Sequence, residues 1–142
     1  MNYLLDTNVI SELISKQPHK KVVEWIDRLD PNTTYLSVIT IGELRKGIEK
    51  LPASKRRDTL KEWLEGDLLL RFQGRILEIT IEAMLIWGEL TGRLEKEGTP
   101  IGAIDSLIAA IALWSNCCLV TRNEHDFRHT GVTMMNPWKE PK

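Results

Sequence analysis

The sequence predicts an α/β protein built on a mostly parallel sheet covered by helices on both faces. Three observations lead there. Short apolar runs of strand length alternate with stretches whose apolar residues recur at helical spacing. A helix read from Thr99-Pro100 to Trp114 is apolar on nearly every side, through Ala103, Ile104, Leu107 and Ile108 to Leu113, so it has to be largely buried. No internal repeat, low-complexity tract or linker interrupts the 142 residues, which fit one domain over 1–142 whose core needs no disulfides.

In chain order, Asn2 to Leu5 is an apolar strand ending at Asp6. Thr7 and Asn8 are N-cap candidates for a helix carrying Val9, Ile10, Leu13 and Ile14. Val22, Val23, Trp25, Ile26 and Leu29 mark a second amphipathic helix, stopped by Asp30-Pro31-Asn32. Residues 34 to 39, rich in β-branched and aromatic side chains, read as the second strand. Thr40, Glu43 and Leu44 open a helix that runs to about Leu51, before Pro52. Ser54 caps the next, with Leu60, Trp63 and Leu64 on its apolar face and an end near Gly66. Arg75 to Thr80 alternates as a strand, and Ile81 to Glu97 is a long helix closed by Gly98. After the apolar helix, Cys118 to Thr121 is a strand, Asn123 to Gly131 a polar connection, and Val132 to Met135 the last strand before Asn136-Pro137.

Composition narrows the class. With 42% hydrophobic and 27% charged residues the chain reads as soluble, and no apolar run approaches the ~18 residues of a membrane span. The opening MNYLLDTNVISEL lacks the basic and apolar regions of a signal peptide, so a cytoplasmic location is expected. The two cysteines, Cys117 and Cys118, are adjacent, which suits buried reduced thiols and neither a disulfide framework nor a zinc knuckle. A net charge of -1 argues against gripping nucleic acid with the whole surface but leaves room for a local basic rim.

Four acids stand out by position: Asp6 after the first strand, Glu43 after the second, Asp105 inside the apolar helix, and Asp126 after the strand at Cys118. In an open parallel sheet, ligands gather outside the carboxyl ends of the strands, so such acids can meet there. Carboxylates brought together repel one another unless a cation is bound, and hard oxygen ligands suit magnesium or manganese. Each acid also has an ordinary reading. Asp6 can complement a helix N-terminus, and Thr40-Ile41-Gly42-Glu43 matches a capping box. Asp105 can be a first-turn acid or a partner of Arg45, and Asp126 can serve a local loop. His125 and His129 have the i, i+4 spacing of a zinc pair, but no third ligand is evident. Arg45, Lys46, Lys50, Arg122 and Arg128 flank the acids and could offset phosphate charge. Trp25, Trp63, Trp87 and Trp114 fall on apolar helix faces, as core or dimer contacts.

Four segments in order resemble the PIN domain ribonucleases, most closely the VapC-type toxins of bacterial toxin–antitoxin pairs. They are Leu5-Asp6-Thr7-Asn8, Glu43-Leu44-Arg45-Lys46-Gly47, Asp105-Ser106-Leu107-Ile108-Ala109-Ala110, and Thr121 to Phe127. The resemblance implies a PIN-like three-layer sandwich with a mostly parallel central sheet flanked by helices. It implies a magnesium-dependent endoribonuclease, with manganese as a substitute, cutting RNA by metal-activated water. Asp6, Glu43 and Asp105 would be the metal-binding core, completed by Asp126, or by Glu124 or Asn123, with Asn8, Thr121 and Asn123 in support. Arg45, Lys46 and Arg122 would face RNA. A homodimer and a cognate antitoxin at the acidic groove are the implied partners. Two rivals remain open: a non-catalytic interaction domain on the same fold, and a phosphohydrolase with Asp6 as nucleophile.

Overall fold

The computed structural model describes residues 1–139. Strands β1 (Tyr3–Leu5), β2 (Thr34–Ser37), β3 (Ile76–Leu77), β4 (Cys118–Val120) and β5 (Met134–Met135) pair in the order β3-β2-β1-β4-β5, every pairing parallel. Register is set by Tyr3 opposite Thr34 on one side and Cys118 on the other. Because side chains alternate across a strand, each strand feeds both faces. Leu5, Leu36 and Val120 join one core with Val9, Ile10, Val22, Trp25, Leu44 and Ile48. Leu4 and Leu119 join the other with Leu90, Leu94, Ile108, Ala109 and Phe127. That alternation yields the three layers.

The first face is covered by α1 (Thr7–Leu13), α2 (Lys20–Asp27), α3 (Val38–Glu49) and α4 (Lys55–Glu62). The second is covered by α6 (Ile81–Lys96) and α7 (Ala103–Ser115), with α8 (Glu124–Phe127) after β4. Gly98 (φ 78°) ends α6, its left-handed turn returning the Thr99 amide to Leu94 O at 2.9 Å. Both cysteines are free and buried, and burial pushes both thiols up, so they stay protonated. Among the described residues no helix is long and apolar enough to cross a membrane.

Several boundaries differ from the sequence reading, each for a local reason. The cap of α1 is Asp6, whose Oδ1 accepts from the Thr7 amide, and Thr7 and Asn8 lie in the first turn. The second strand stops at Ser37, which caps α3 by accepting from the Thr40 amide at 3.2 Å. Val38 and Ile39 are therefore helical despite their strand propensity, and Thr40-Ile41-Gly42-Glu43 is not a capping box. Gly66 does not end its helix: α4 runs through a π-helical turn (Trp63–Leu68) into α5 (Leu69–Arg71). Burial of Leu64, Leu68 and Phe72 outweighs the roughly 1 kcal/mol that glycine costs there. β3 and β5 are only two residues long, and the polar connection after β4 contains α8, anchored by fully buried Phe127. The first turn of α7 is less buried than its composition implies, Ile104 being 43% exposed. On α6, Ile81, Met84 and Leu85 form an exposed apolar strip.

Candidate active site

Strand order reverses direction at β1, whose neighbours β2 and β4 are reached by crossovers on opposite sides, so a crevice opens beyond the carboxyl ends of β1 and β4. It is a cleft of about 470 Å³ lined by Asp6, Asn8, Glu43, Asp105, Arg122 and Asn123, with Trp138 at its side. Three of the four acids singled out by position thus share one wall-to-wall space. Asp6 comes directly off β1, Glu43 from the second turn of α3, and Asp105 from the first turn of α7.

Asp6 is 4% exposed and tightly held. Its Oδ1 accepts from the Thr7 amide at 2.8 Å. Its Oδ2 accepts from Thr121 Oγ1 at 2.8 Å and from Asn8 Nδ2 at 3.3 Å. Thr121 Oγ1 in turn accepts from the Asn123 amide at 3.0 Å, and Asn8 Oδ1 from the Arg122 amide at 3.3 Å. The Asp6-Thr7-Asn8 turn and the Thr121-Arg122-Asn123 turn are therefore locked together. Burial raises the Asp6 pKa, Thr121 and Thr7 lower it in part, and Glu43 raises it further.

Thr7 ties the second acid to the first. Its hydroxyl donates to Glu43 Oε1 at 2.5 Å, so the 3.0 Å contact with Thr40 Oγ1 has Thr40 as donor, a hydroxyl having one proton to give. Asp105 is different. Burial, then Asp6, Asp126 and Glu43, raise its pKa to about 6, and no donor or cation lowers it. Arg45 does not pair with it: Arg45 Nη2 bridges to Glu49 at 3.3 Å, and its buried Nη1 has no partner. The turn that carries Asp105 is braced from α6, where Trp87 Nε1 donates to Ser106 Oγ at 2.8 Å and Ser106 Oγ donates to Ala103 O.

The donor set suits a hard divalent cation. A carboxylate offers about four lone pairs. Asp6 has three of these occupied, Glu43 keeps Oε2 open, and Asp105 has no neutralising partner among the described residues. Among the described residues, however, no three His, Cys, Asp or Glu side chains are drawn together closely enough to hold an ion as they stand. Asp105, with no hydrogen bond fixing its rotamer, is the one free to turn inward.

Asp126 does not line this cleft. It is exposed and lines a neighbouring one, of which Asp105 is the shared wall, and reaches Asp105 through charge alone. Glu124 is engaged elsewhere, accepting from Asn136 Nδ2 at 3.1 Å and pairing with Lys139 at 3.3 Å. Of the three candidates for the fourth position, Asp126, Glu124 and Asn123, it is Asn123 that lines the cleft. Arg122 stacks its guanidinium 5.3 Å from the Trp138 ring centre, whereas Arg45 and Lys46 lie outside the lining. Sequence reasoning missed Trp138, Ser11 and Glu12 as cleft residues. Ser11 and Glu12 follow from α1 leaving Asp6 toward the same opening, but Trp138 lies after the last strand, where no periodicity marks it.

The PIN domain family model matches residues 3–132. The chain is 39% identical to the VapC ribonuclease Y4jK of Sinorhizobium fredii over 96% of its length and 97% of that protein. It is 39% identical to the Toxin FitB of Neisseria gonorrhoeae over 96% of its length and 99% of that protein. Among solved structures, FitAB bound to the IR36 DNA fragment superposes with a TM-score of 0.93 at 36% identity, covering 99% of this chain and 98% of the other. A parallel five-stranded sheet with Asp6, Glu43 and Asp105 at its carboxyl edge, and relatives matched nearly end to end, place the chain in the PIN domain family, among its VapC-type members.

Proposed function

We propose that this chain is the toxin of a toxin–antitoxin pair, an endoribonuclease that uses magnesium, or manganese in its place, held by Asp6, Glu43 and Asp105. The observation that carries the reading is one cleft in which three carboxylates keep open oxygens, in a chain similar to proteins named ribonuclease and toxin. When bound, such an ion would supply Lewis acidity to the phosphoryl oxygens and lower the pKa of water. The chain's own residues do the rest. Thr121 and Asn8 orient Asp6, and Thr7 orients Glu43. Arg122, lying over the Trp138 ring, offers a guanidinium to a phosphate entering an otherwise acidic cleft. Asn123 lines the same space, and the proposed mechanism requires no histidine base.

The proposed partners are RNA as substrate, a cognate antitoxin covering the acidic cleft, and a second copy of the chain. The exposed strip of Ile81, Met84 and Leu85 on α6 is the dimer surface that this reading uses. Buried free thiols suit a reducing compartment, and the cytoplasm is the proposed place of action. A phosphohydrolase using Asp6 as nucleophile fits less well, because donors already engage both Asp6 oxygens and the residue two positions on is Asn8. The test is cleavage of single-stranded RNA by purified protein with magnesium or manganese, with chelator, and with Asp6→Asn as control. Cleavage that stops in chelator and returns with either ion is expected. Undiminished cleavage in excess chelator overturns the mechanism, and no cleavage under any ion leaves the non-catalytic interaction domain as the better reading.

A further inference from the structure

The cleft on the far side of Asp105 has a lining unlike that of the first. It measures about 450 Å³, the size of a small-molecule site, and Thr99, Asp105, His125, Asp126, Arg128 and His129 surround it. The loop that forms one wall is clamped. Arg128 Nη1 donates to His125 O at 2.6 Å, Arg93 Nη2 donates to His129 O at 3.1 Å, and Thr130 Oγ1 donates to Phe127 O at 2.7 Å, over the fully buried Phe127 ring. Three arginine and threonine contacts therefore hold the backbone while the His125, Asp126 and His129 side chains stay exposed. Arg128 is partly spent on the loop itself.

The charge pattern selects the occupant. Two carboxylates, Asp105 and Asp126, face a single arginine, so a phosphate would meet net repulsion. A nucleobase would not. Unstacked bases of single-stranded RNA pack on histidine and arginine planes and are read by hydrogen bonds along their edges. A carboxylate can only accept, so it selects an edge rich in donors, and guanine alone sets two N–H donors side by side to match two carboxylate oxygens. The two clefts share Asp105 as a common wall, so they lie side by side. Resting on the ribonuclease reading above, we propose that this second cleft is a base-recognition subsite, in which Asp126 selects guanine beside the scissile phosphate and His125 and His129 pack against its ring.

Short uridine oligonucleotides carrying one central guanine, adenine or cytosine, beside the all-uridine strand, test this in two ways. Cleavage by the intact protein with magnesium is expected to fall next to guanine, with kcat/KM for that strand about tenfold or more above all-uridine, the discrimination of a good bidentate contact. Asp126→Ala should bring that ratio to near one, and His125→Ala with His129→Ala should raise KM for the guanine strand. If Asp126→Ala lowers cleavage of every strand equally and keeps the ratio, Asp126 acts on the reaction centre and the subsite is overturned. Equilibrium binding of the same strands to Asp6→Asn protein in chelator reads the subsite without turnover. A guanine preference there that vanishes with Asp126→Ala supports the subsite even if the ribonuclease reading fails. Equal binding of all four strands to both proteins overturns it.

Discussion

The two sides of the acidic cleft are built on opposite plans. On the β1 side, Asp6 and Glu43 are wired by hydroxyls and amides from Thr7, Asn8, Thr40 and Thr121 into a network that joins four elements. On the α7 side, Asp105 has neither donor nor counter-charge among the described residues, and the influences on it there favour the neutral form. The first side is positioned by the fold, and the second is positioned by whatever neutralises it. On the metal-dependent reading proposed above, a site arranged this way would stay folded without an ion and be completed only when one arrives. Four experiments sharpen or break that contrast, from the largest effect to the smallest.

Asp105→Asn should abolish metal-dependent RNA cleavage, by at least about a hundredfold, since several kcal/mol of charge stabilisation are removed with the ligand. Circular dichroism should show the fold unchanged, because no protein contact is lost. An unfolded variant would mean that Asp105 is structural. Asp6→Asn should behave otherwise: the new amide turns a donor toward Thr121, Asn8 or the Thr7 amide, at a cost of about 1–3 kcal/mol in metal-free protein. Urea unfolding of both variants in chelator measures the difference, and equal stabilities would erase the contrast.

Magnesium at ten times its dissociation constant should stabilise the parent by roughly 1.4 kcal/mol and Asp105→Asn by little. Thermal melts with and without the ion decide it. If both proteins gain equally, Asp105 is outside the metal site. The smallest effect is on pH. Asp105 titrates near 6 when folded against an ordinary 3.8, so the folded state holds its proton more tightly than the unfolded chain. Stability of metal-free protein should therefore be highest below about 4 on this account and decline as pH rises through about 6, with Asp6 acting in the same direction. Asp105→Asn should flatten the decline, read as the urea midpoint against pH in chelator.

Much of this contrast was written in the sequence. Asp6, Glu43 and Asp105 are legible because each stands at a strand-to-helix junction or inside an apolar helix, and although each has an ordinary reading alone, the order of the motifs ties them together. What failed to show was governed by tertiary contacts. Val38 and Ile39 favour a strand by themselves but enter a helix once Ser37 caps it. Gly66 would end an isolated helix but not one pinned by Leu64, Leu68 and Phe72. Arg45, two residues past Glu43, looks poised for substrate, yet a turn of helix brings it to Glu49 instead. Asp126 follows β4 as closely as a ligand should, and only the fold shows that α8 carries it to the other side of Asp105.

The edges of the sheet bear on how this chain meets others. β3 and β5, the outermost strands, are two residues each, so the sheet offers a newcomer almost no free backbone. A long bare edge invites strand addition, with the runaway stacking that can follow. Here recognition is left to side chains on helices, where a match depends on shape and charge at each position. Contacts read residue by residue can tell one partner from another, which paired backbone at a sheet edge cannot do.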